Sequence, residues 1–312
     1  MYRSAVSDQQ SNFWRGRRVL VTGASGFLGT AVVRLLARYG ADVHGTGRTR
    51  VVSEPAVHHA ADFPADAERV VAELGPAHVI HLAAPVVPGA GAEISSRLRP
   101  GIVDAALAMS EATGRRGIPM LHCGTCAEYG DAPAPFSEQA VARPIDAYGA
   151  LKLEATTALR GKGHVTVARP FRAIGRGDRS SVIAAATRAA IAGEEFQMTS
   201  GEQLREWNHV DAIAEGLIRA AGCVDLRGEV VNIGGGPTAS VLEAVQSVYE
   251  AVGADTGRIA VGALPQRAAE IPLLAGDHTK AHSLWGVIAQ PPLRATVREA
   301  VEWMKQSRED AA

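Results

Sequence analysis

The sequence predicts an α/β fold: a doubly wound parallel sheet with a smaller, discontinuous C-terminal domain. Three observations lead there. Short apolar runs alternate with stretches of helical periodicity through the first half of the chain, and strands separated by helices build right-handed crossovers and a parallel sheet. The first apolar run ends in glycines spaced Gly23-x-x-Gly26-x-x-Gly29, which open a helix. Beyond Pro170 the alternation weakens, and helical stretches surround one returning strand.

Taken in order, residues 1–14 read as a polar N-terminal tail. Residues 18–22 form a strand, and residues 29–39 a helix with Val32, Val33, Leu35 and Leu36 at helical spacing, stopped by Gly40. Val43 begins a second strand; residues 78–82 and 119–123 form two more. A helix over 146–159 precedes a strand at 165–168. Further helices are expected near 180–192, 210–221, 239–252 and 296–305, and residues 229–233 read as a strand returning to the sheet.

The 312 residues are 46% hydrophobic and 21% charged, the composition of a globular chain with ample core. With 32 basic and 33 acidic residues, the net charge of −1 argues against nucleic acid or a membrane surface as partner. No apolar run reaches the ~18 residues of a membrane span, and the first residues lack the apolar core of a signal peptide. A cytoplasmic location is expected. Cys123 and Cys126 form a C-x-x-C, but no second pair completes a zinc site and Cys123 ends an apolar strand. Both read as structural thiols, and no metal is expected.

Three segments carry chemistry. In Thr22-Gly23-Ala24-Ser25-Gly26-Phe27-Leu28-Gly29 the glycines permit a tight turn and close approach of backbone to a pyrophosphate, which then meets the positive end of a helix. Tyr148 and Lys152 stand four apart on a helix and share a face. A free tyrosine titrates near ~10; a lysine cation beside it, together with an oxidised nicotinamide, would favour the phenolate. Thr125 follows a strand end in Gly124-Thr125-Cys126-Ala127-Glu128-Tyr129-Gly130, where its hydroxyl could hydrogen-bond a reacting carbonyl or cap a turn.

Together these segments resemble the extended short-chain dehydrogenase/reductase family, in its nucleotide-sugar epimerase/dehydratase branch, from about Arg17 to Trp303. The resemblance implies a Rossmann-type dinucleotide-binding domain (15–174 and 204–236) and a substrate domain (175–203 and 237–312). It implies Thr125, Tyr148 and Lys152 as catalytic residues. Cofactor contacts would come from Gly23, Ser25, Gly26, Phe27, Leu28, Gly29, Asp62, Phe63, Leu82, Ala83, Ala84, Tyr148, Lys152 and Pro170. Arg205 in Arg205-Glu206-Trp207-Asn208-His209-Val210 and Arg267 in Arg267-Ala268-Ala269-Glu270-Ile271-Pro272 would hold the diphosphate, with Thr125 and Arg172 also on the substrate. A homodimer is a family expectation. Two departures stand out: Arg172 replaces an asparagine common after the Arg169-Pro170-Phe171 element, and Arg99-Pro100-Gly101-Ile102 stands where a helix often begins with asparagine.

A 4,6-dehydratase of this branch places an acid pair directly after the threonine, where this chain has Cys126 and Ala127. The second strand ends Gly47-Arg48, without the carboxylate that suits the ribose hydroxyl of NAD. Arg48 fits a 2′-phosphate, which favours NADP(H) over NAD(H) and net reduction. The leading expectation is an NADPH-dependent reductase of a nucleotide-linked keto sugar, resembling the 4-ketoreductases of deoxysugar biosynthesis. The alternatives are a nucleotide-sugar 4-epimerase, a reductase of non-sugar carbonyls and an idle cofactor-binding regulator. The complete Thr125/Tyr148/Lys152 set speaks against idleness.

Overall fold

The computed structural model describes residues 8–47, 56–85, 92–266 and 270–309. Helix α1 (Asp8–Trp14) leads into β1 (Arg18–Thr22), α2 (Phe27–Arg38), β2 (Asp42–Gly47) and β3 (Val57–Ala60). Then come α3 (Ala67–Leu74), β4 (His78–His81), α4 (Ala92–Arg99), α5 (Ala105–Gly114), β5 (Met120–Cys123), α6 (Ala147–Leu159) and β6 (Val165–Pro170). A π-helical turn, Pro100–Asp104, joins α4 to α5.

The C-terminal half contributes β7 (Ala173–Ile174), α7 (Val182–Ala192), β8 (Phe196–Met198), β9 (Leu204–Glu206), β10 (Asn208–His209), α8 (Val210–Gly222) and β11 (Val230–Ile233). It closes with β12 (Thr238–Ser240), α9 (Val241–Val252), β13 (Ile259–Val261), β14 (Leu273–Leu274), α10 (Thr279–Trp285) and α11 (Leu293–Glu309). Among the described residues, no helix is long and apolar enough to cross a membrane.

Seven parallel strands run in the order β11-β6-β5-β4-β1-β2-β3. The strands are short and apolar because both faces are covered. On one face Val19 and Val21 of β1 pack against Val32, Val33 and Leu36 of α2 and Ile213 and Leu217 of α8. On the other, Leu20 and Val79 meet Val70 and Val71 of α3, Met109 of α5 and Leu159 of α6. Strand order reverses between β1 and β4, which opens a crevice beyond their carboxyl ends.

Two expectations need correction. The supposed tail is helical from residue 8. Trp14 is fully buried, with its ring 5.0 Å from that of His78 and 4.8 Å from that of Phe13. A seven-residue helix is marginal alone; this one is held by two apolar side chains at its end. The domain boundary also shifts. β9, expected in the first domain, is the central strand of the C-terminal sheet β12-β9-β14. That region has its own core, formed by Ile183, Trp207, Val245 and Val301.

Candidate active site

The crevice is a cleft of about 780 Å³. Its floor is the glycine turn. Gly23 has φ +68°, a left-handed conformation that favours glycine, and a Cβ there would come within 2.9 Å of the Ala83 backbone. A Cβ on Gly29 would lie 2.1 Å from the Gly23 carbonyl oxygen, so α2 seats on the turn only without a side chain. Gly26 supplies no side-chain cap to α2, and Gly26, Phe27 and Leu28 line the cleft. The backbone N–H groups at a helix start form an anion site. These residues fit the pyrophosphate of a dinucleotide.

Thr125 stands just beyond β5 and lines the same cleft. Its extended backbone caps a 3-10 turn, Cys126–Glu128, and its Oγ1 accepts from the Ala127 N–H at 3.2 Å. Capping and cleft-facing roles coexist, since the hydroxyl keeps its own proton to donate. Glu128 holds this loop. It is fully buried, accepts from the Thr125 N–H at 3.0 Å and from Thr156 Oγ1 at 3.1 Å, and pairs with Arg169 Nε at 2.7 Å. One carboxylate thereby ties the end of β5 to α6 and to β6.

Tyr148 and Lys152 lie on α6, which Asp146 caps through the Gly149 N–H at 2.7 Å. Both line the cleft. Lys152 Nζ donates to the Cys123 carbonyl oxygen at 2.7 Å and lies 5.9 Å from the Tyr148 ring centre. Burial pulls the lysine pKa down and pushes the tyrosine up. The lysine alone therefore does not poise the phenol low. His81 and His122, beneath the site, have stacked rings 5.7 Å apart. Burial depresses both, His81 to about 3. Thr22 Oγ1 bonds His81 Nδ1 at 2.8 Å.

At the far wall Arg172, Arg205, Glu270, Ile271 and Leu274 complete the lining. Arg205 is already engaged: it pairs with Glu270 and donates to the carbonyls of Leu204 at 2.8 Å and Ile271 at 2.7 Å. Arg172 lies with its guanidinium 5.7 Å from the Trp207 ring centre.

The cleft gathers Gly23, Gly26, Phe27, Leu28, Gly29, Leu82, Ala84, Thr125, Tyr148, Lys152, Pro170, Arg172 and Arg205. Arg48 and Arg267 lie outside the described residues. Four others expected to touch the cofactor do not line the cleft. Ser25 is exposed on the turn. Asp62 is exposed, its N–H donating to Asp66 at 2.7 Å. Phe63 stands edge-on to His81 at 6.2 Å. Ala83 sits behind Gly23, its N–H donating to Thr22 Oγ1 at 3.2 Å. Asp62 and Phe63 follow the outermost strand of the sheet, which displaces them from its centre.

Sequence reasoning missed Glu128, Glu206 and Glu270, and it took Cys126 for a structural thiol although it lines the cleft. Burial pushes that thiol up to about 12. Glu206 is buried and accepts from His278 at 2.9 Å and from the Gly235 and Gly276 N–H groups at 2.7 and 2.9 Å, joining the first sheet's exit to the C-terminal region. Each glutamate sits in a quoted motif; for Glu128 the available signal was a carboxylate beside Cys126, Ala127 and Tyr129.

Residues 19–234 match the model of the NAD dependent epimerase/dehydratase family. The chain is 25% identical to UDP-glucose 4-epimerase of Corynebacterium glutamicum, over 91% of this chain and 94% of that protein. Its fold matches a UDP-glucose 4-epimerase of Thermotoga maritima solved with UDP-glucose (TM-score 0.83, 23% identity, 93% of this chain and 99% of that one). It also matches MoeE5 in complex with UDP-glucuronic acid and NAD (TM-score 0.80, 27% identity, 93% and 99%).

Proposed function

The chain belongs to the NAD dependent epimerase/dehydratase family, and we propose that within it the protein is a nucleotide-sugar 4-epimerase. The observation that carries this reading is the composition of the cleft at the reacting end. Thr125, Tyr148 and Lys152 meet there, and the two positions after Thr125 hold Cys126 and Ala127, which also line the cleft. One tyrosine can take a proton from a sugar hydroxyl and return it. Elimination of water needs a second acid–base pair, and a thiol pushed up to about 12 does not supply it. The likeness to a UDP-glucose 4-epimerase over 91% of this chain supports the same choice and a UDP-linked hexose as substrate.

Tyr148 exchanges the proton of the sugar hydroxyl. Lys152, anchored on the Cys123 carbonyl, places a buried cation on the tyrosine's own helix face. Thr125 orients the sugar oxygen. Gly23, Gly26, Phe27 and Leu28 would hold the pyrophosphate of the cofactor, and Leu82, Ala84 and Pro170 would contact its nicotinamide half. When bound, NAD(P) supplies the hydride acceptor and donor. An epimerase regenerates its cofactor; the missing carboxylate after Gly47 bears on which cofactor binds.

That same feature, Gly47-Arg48 at the end of β2, keeps an NADPH-dependent 4-ketoreductase as the second reading. One experiment separates the two. With UDP-glucose and catalytic NAD or NADP, the epimerase reading expects UDP-galactose at equilibrium without net cofactor change. Stoichiometric NADPH oxidation with a nucleotide-linked 4-keto sugar, and no epimer formed from UDP-hexoses, would overturn it in favour of reduction.

A further inference from the structure

Of the two cleft arginines that the reading above leaves unused, Arg172 is the one without an ion pair among the described residues. Its place is fixed on both sides. Its carbonyl oxygen accepts from the Asn208 N–H at 2.9 Å and from Asn208 Nδ2 at 3.1 Å. Its guanidinium stands 5.7 Å from the ring centre of Trp207, which is 2% exposed and is itself held through Nε1 to the Ala239 carbonyl at 3.1 Å. The buried Nε of Arg172 has no acceptor among the described residues.

The nearby carboxylates are committed elsewhere: Glu270 to Arg205, Glu206 to His278, and Glu128 to Arg169. Arg205, the other arginine of this wall, is thus neutralised, whereas Arg172 has no ion pair among the described residues. An unpaired guanidinium in a partly desolvated wall favours an anion, and its planar fork matches a carboxylate. Its position selects which anion. Arg172 lies two residues past Pro170 at the end of β6, and Thr125 and Cys126 stand beyond the neighbouring strand β5. It therefore flanks the reacting end of the cleft, where the charge of Arg205 is already taken up by Glu270.

We propose that Arg172 is a specificity-determining residue that receives a carboxylate on the sugar ring, so that the preferred substrate is an acidic nucleotide sugar. This rests on the nucleotide-sugar reading of the cleft. The test compares UDP-glucuronate with UDP-glucose, which share the nucleotide and differ at the sugar carboxylate. Wild type, Arg172→Asn and Arg172→Lys are assayed for epimerisation and for binding by calorimetry, with unfolding curves confirming that the variants fold. Wild type should favour the uronate, and in Arg172→Asn the ratio of kcat/KM for the two sugars should fall about ten- to a hundred-fold, mostly through KM. Arg172→Lys should retain part of the preference. An unchanged ratio in Arg172→Asn, or an equal loss for both sugars and for free UDP, overturns the proposal; the second outcome assigns Arg172 to the diphosphate. If wild type binds the uronate preferentially, and loses that preference with Arg172, yet epimerises neither sugar, the proposal stands and the epimerase reading fails.

Discussion

Replacing Glu128 by alanine should damage stability and turnover together. The carboxylate has no exposure, and its partner Arg169 has a side chain only 5% exposed. Alanine leaves that guanidinium buried without its counter-charge, and breaking one side of a buried pair costs about 3–5 kcal/mol. It also strips the acceptor from the Thr125 N–H and from Thr156 Oγ1. Large domains shift by roughly 2–4 °C per kcal/mol, so the midpoint should fall by about 6–20 °C. The loop carrying Thr125 loses its tether, and misplacement on the scale of 1 Å can cost about a hundred-fold in rate. Glu128→Gln keeps the shape and the acceptor for Thr125 and should lose less of both. Thermal unfolding by circular dichroism, with kcat measured below the transition, checks both parts. An alanine variant that melts within about 1 °C of wild type would refute the claim that this pair holds the loop.

Tyr148→Phe should fold, bind cofactor and lose about 10²–10⁴-fold in kcat; single-turnover chemistry near the wild-type rate would remove the phenol from the reaction. Gly29→Ala should abolish cofactor binding in fluorescence titration, because its Cβ would collide with the Gly23 carbonyl at 2.1 Å; wild-type affinity would contradict the seating of α2 on the turn. Acid should destabilise the protein. Burial depresses His78 to about 4 and His81 to about 3, so each contributes stability present above pH ~6.5 and lost as pH falls toward its folded value, at up to about 1.4 kcal/mol per pH unit. Urea unfolding from pH 7 to 4.5 should show this loss, and His81→Asn should flatten it; parallel curves for the two proteins would count against the assignment.

How much of this was legible depended on distance along the chain. Apolar alternation marked the strands, and the helices expected near 180–192, 210–221 and 239–252 appear as α7, α8 and α9 within a few residues of those bounds. The glycine turn and the Tyr148–Lys152 spacing were readable because each is complete within a few consecutive residues, where steric limits and helical period act directly. The returning strand shows the limit. Residues 229–233 were recognisable as a strand, but the work of Asn232 was not: it is fully buried and bonded to Tyr129 at 2.7 Å and to the Phe136 carbonyl at 2.8 Å.

The sequence by itself determined the α/β class, the parallel sheet, the dinucleotide cradle and the residues that meet at the strand ends. Tertiary structure alone decided which charges those residues face. Glu128 meets Arg169 across 41 positions, Arg205 meets Glu270 across 65, and Glu206 meets His278 across 72. It also turned an apparent tail into a docked helix and left Arg172 without an ion pair among the described residues. The physical reason is common to all of these. Local patterns set the period and direction of a side chain, but burial makes a charge seek the partner that strand order happens to bring alongside, and strand order is a property of the whole chain.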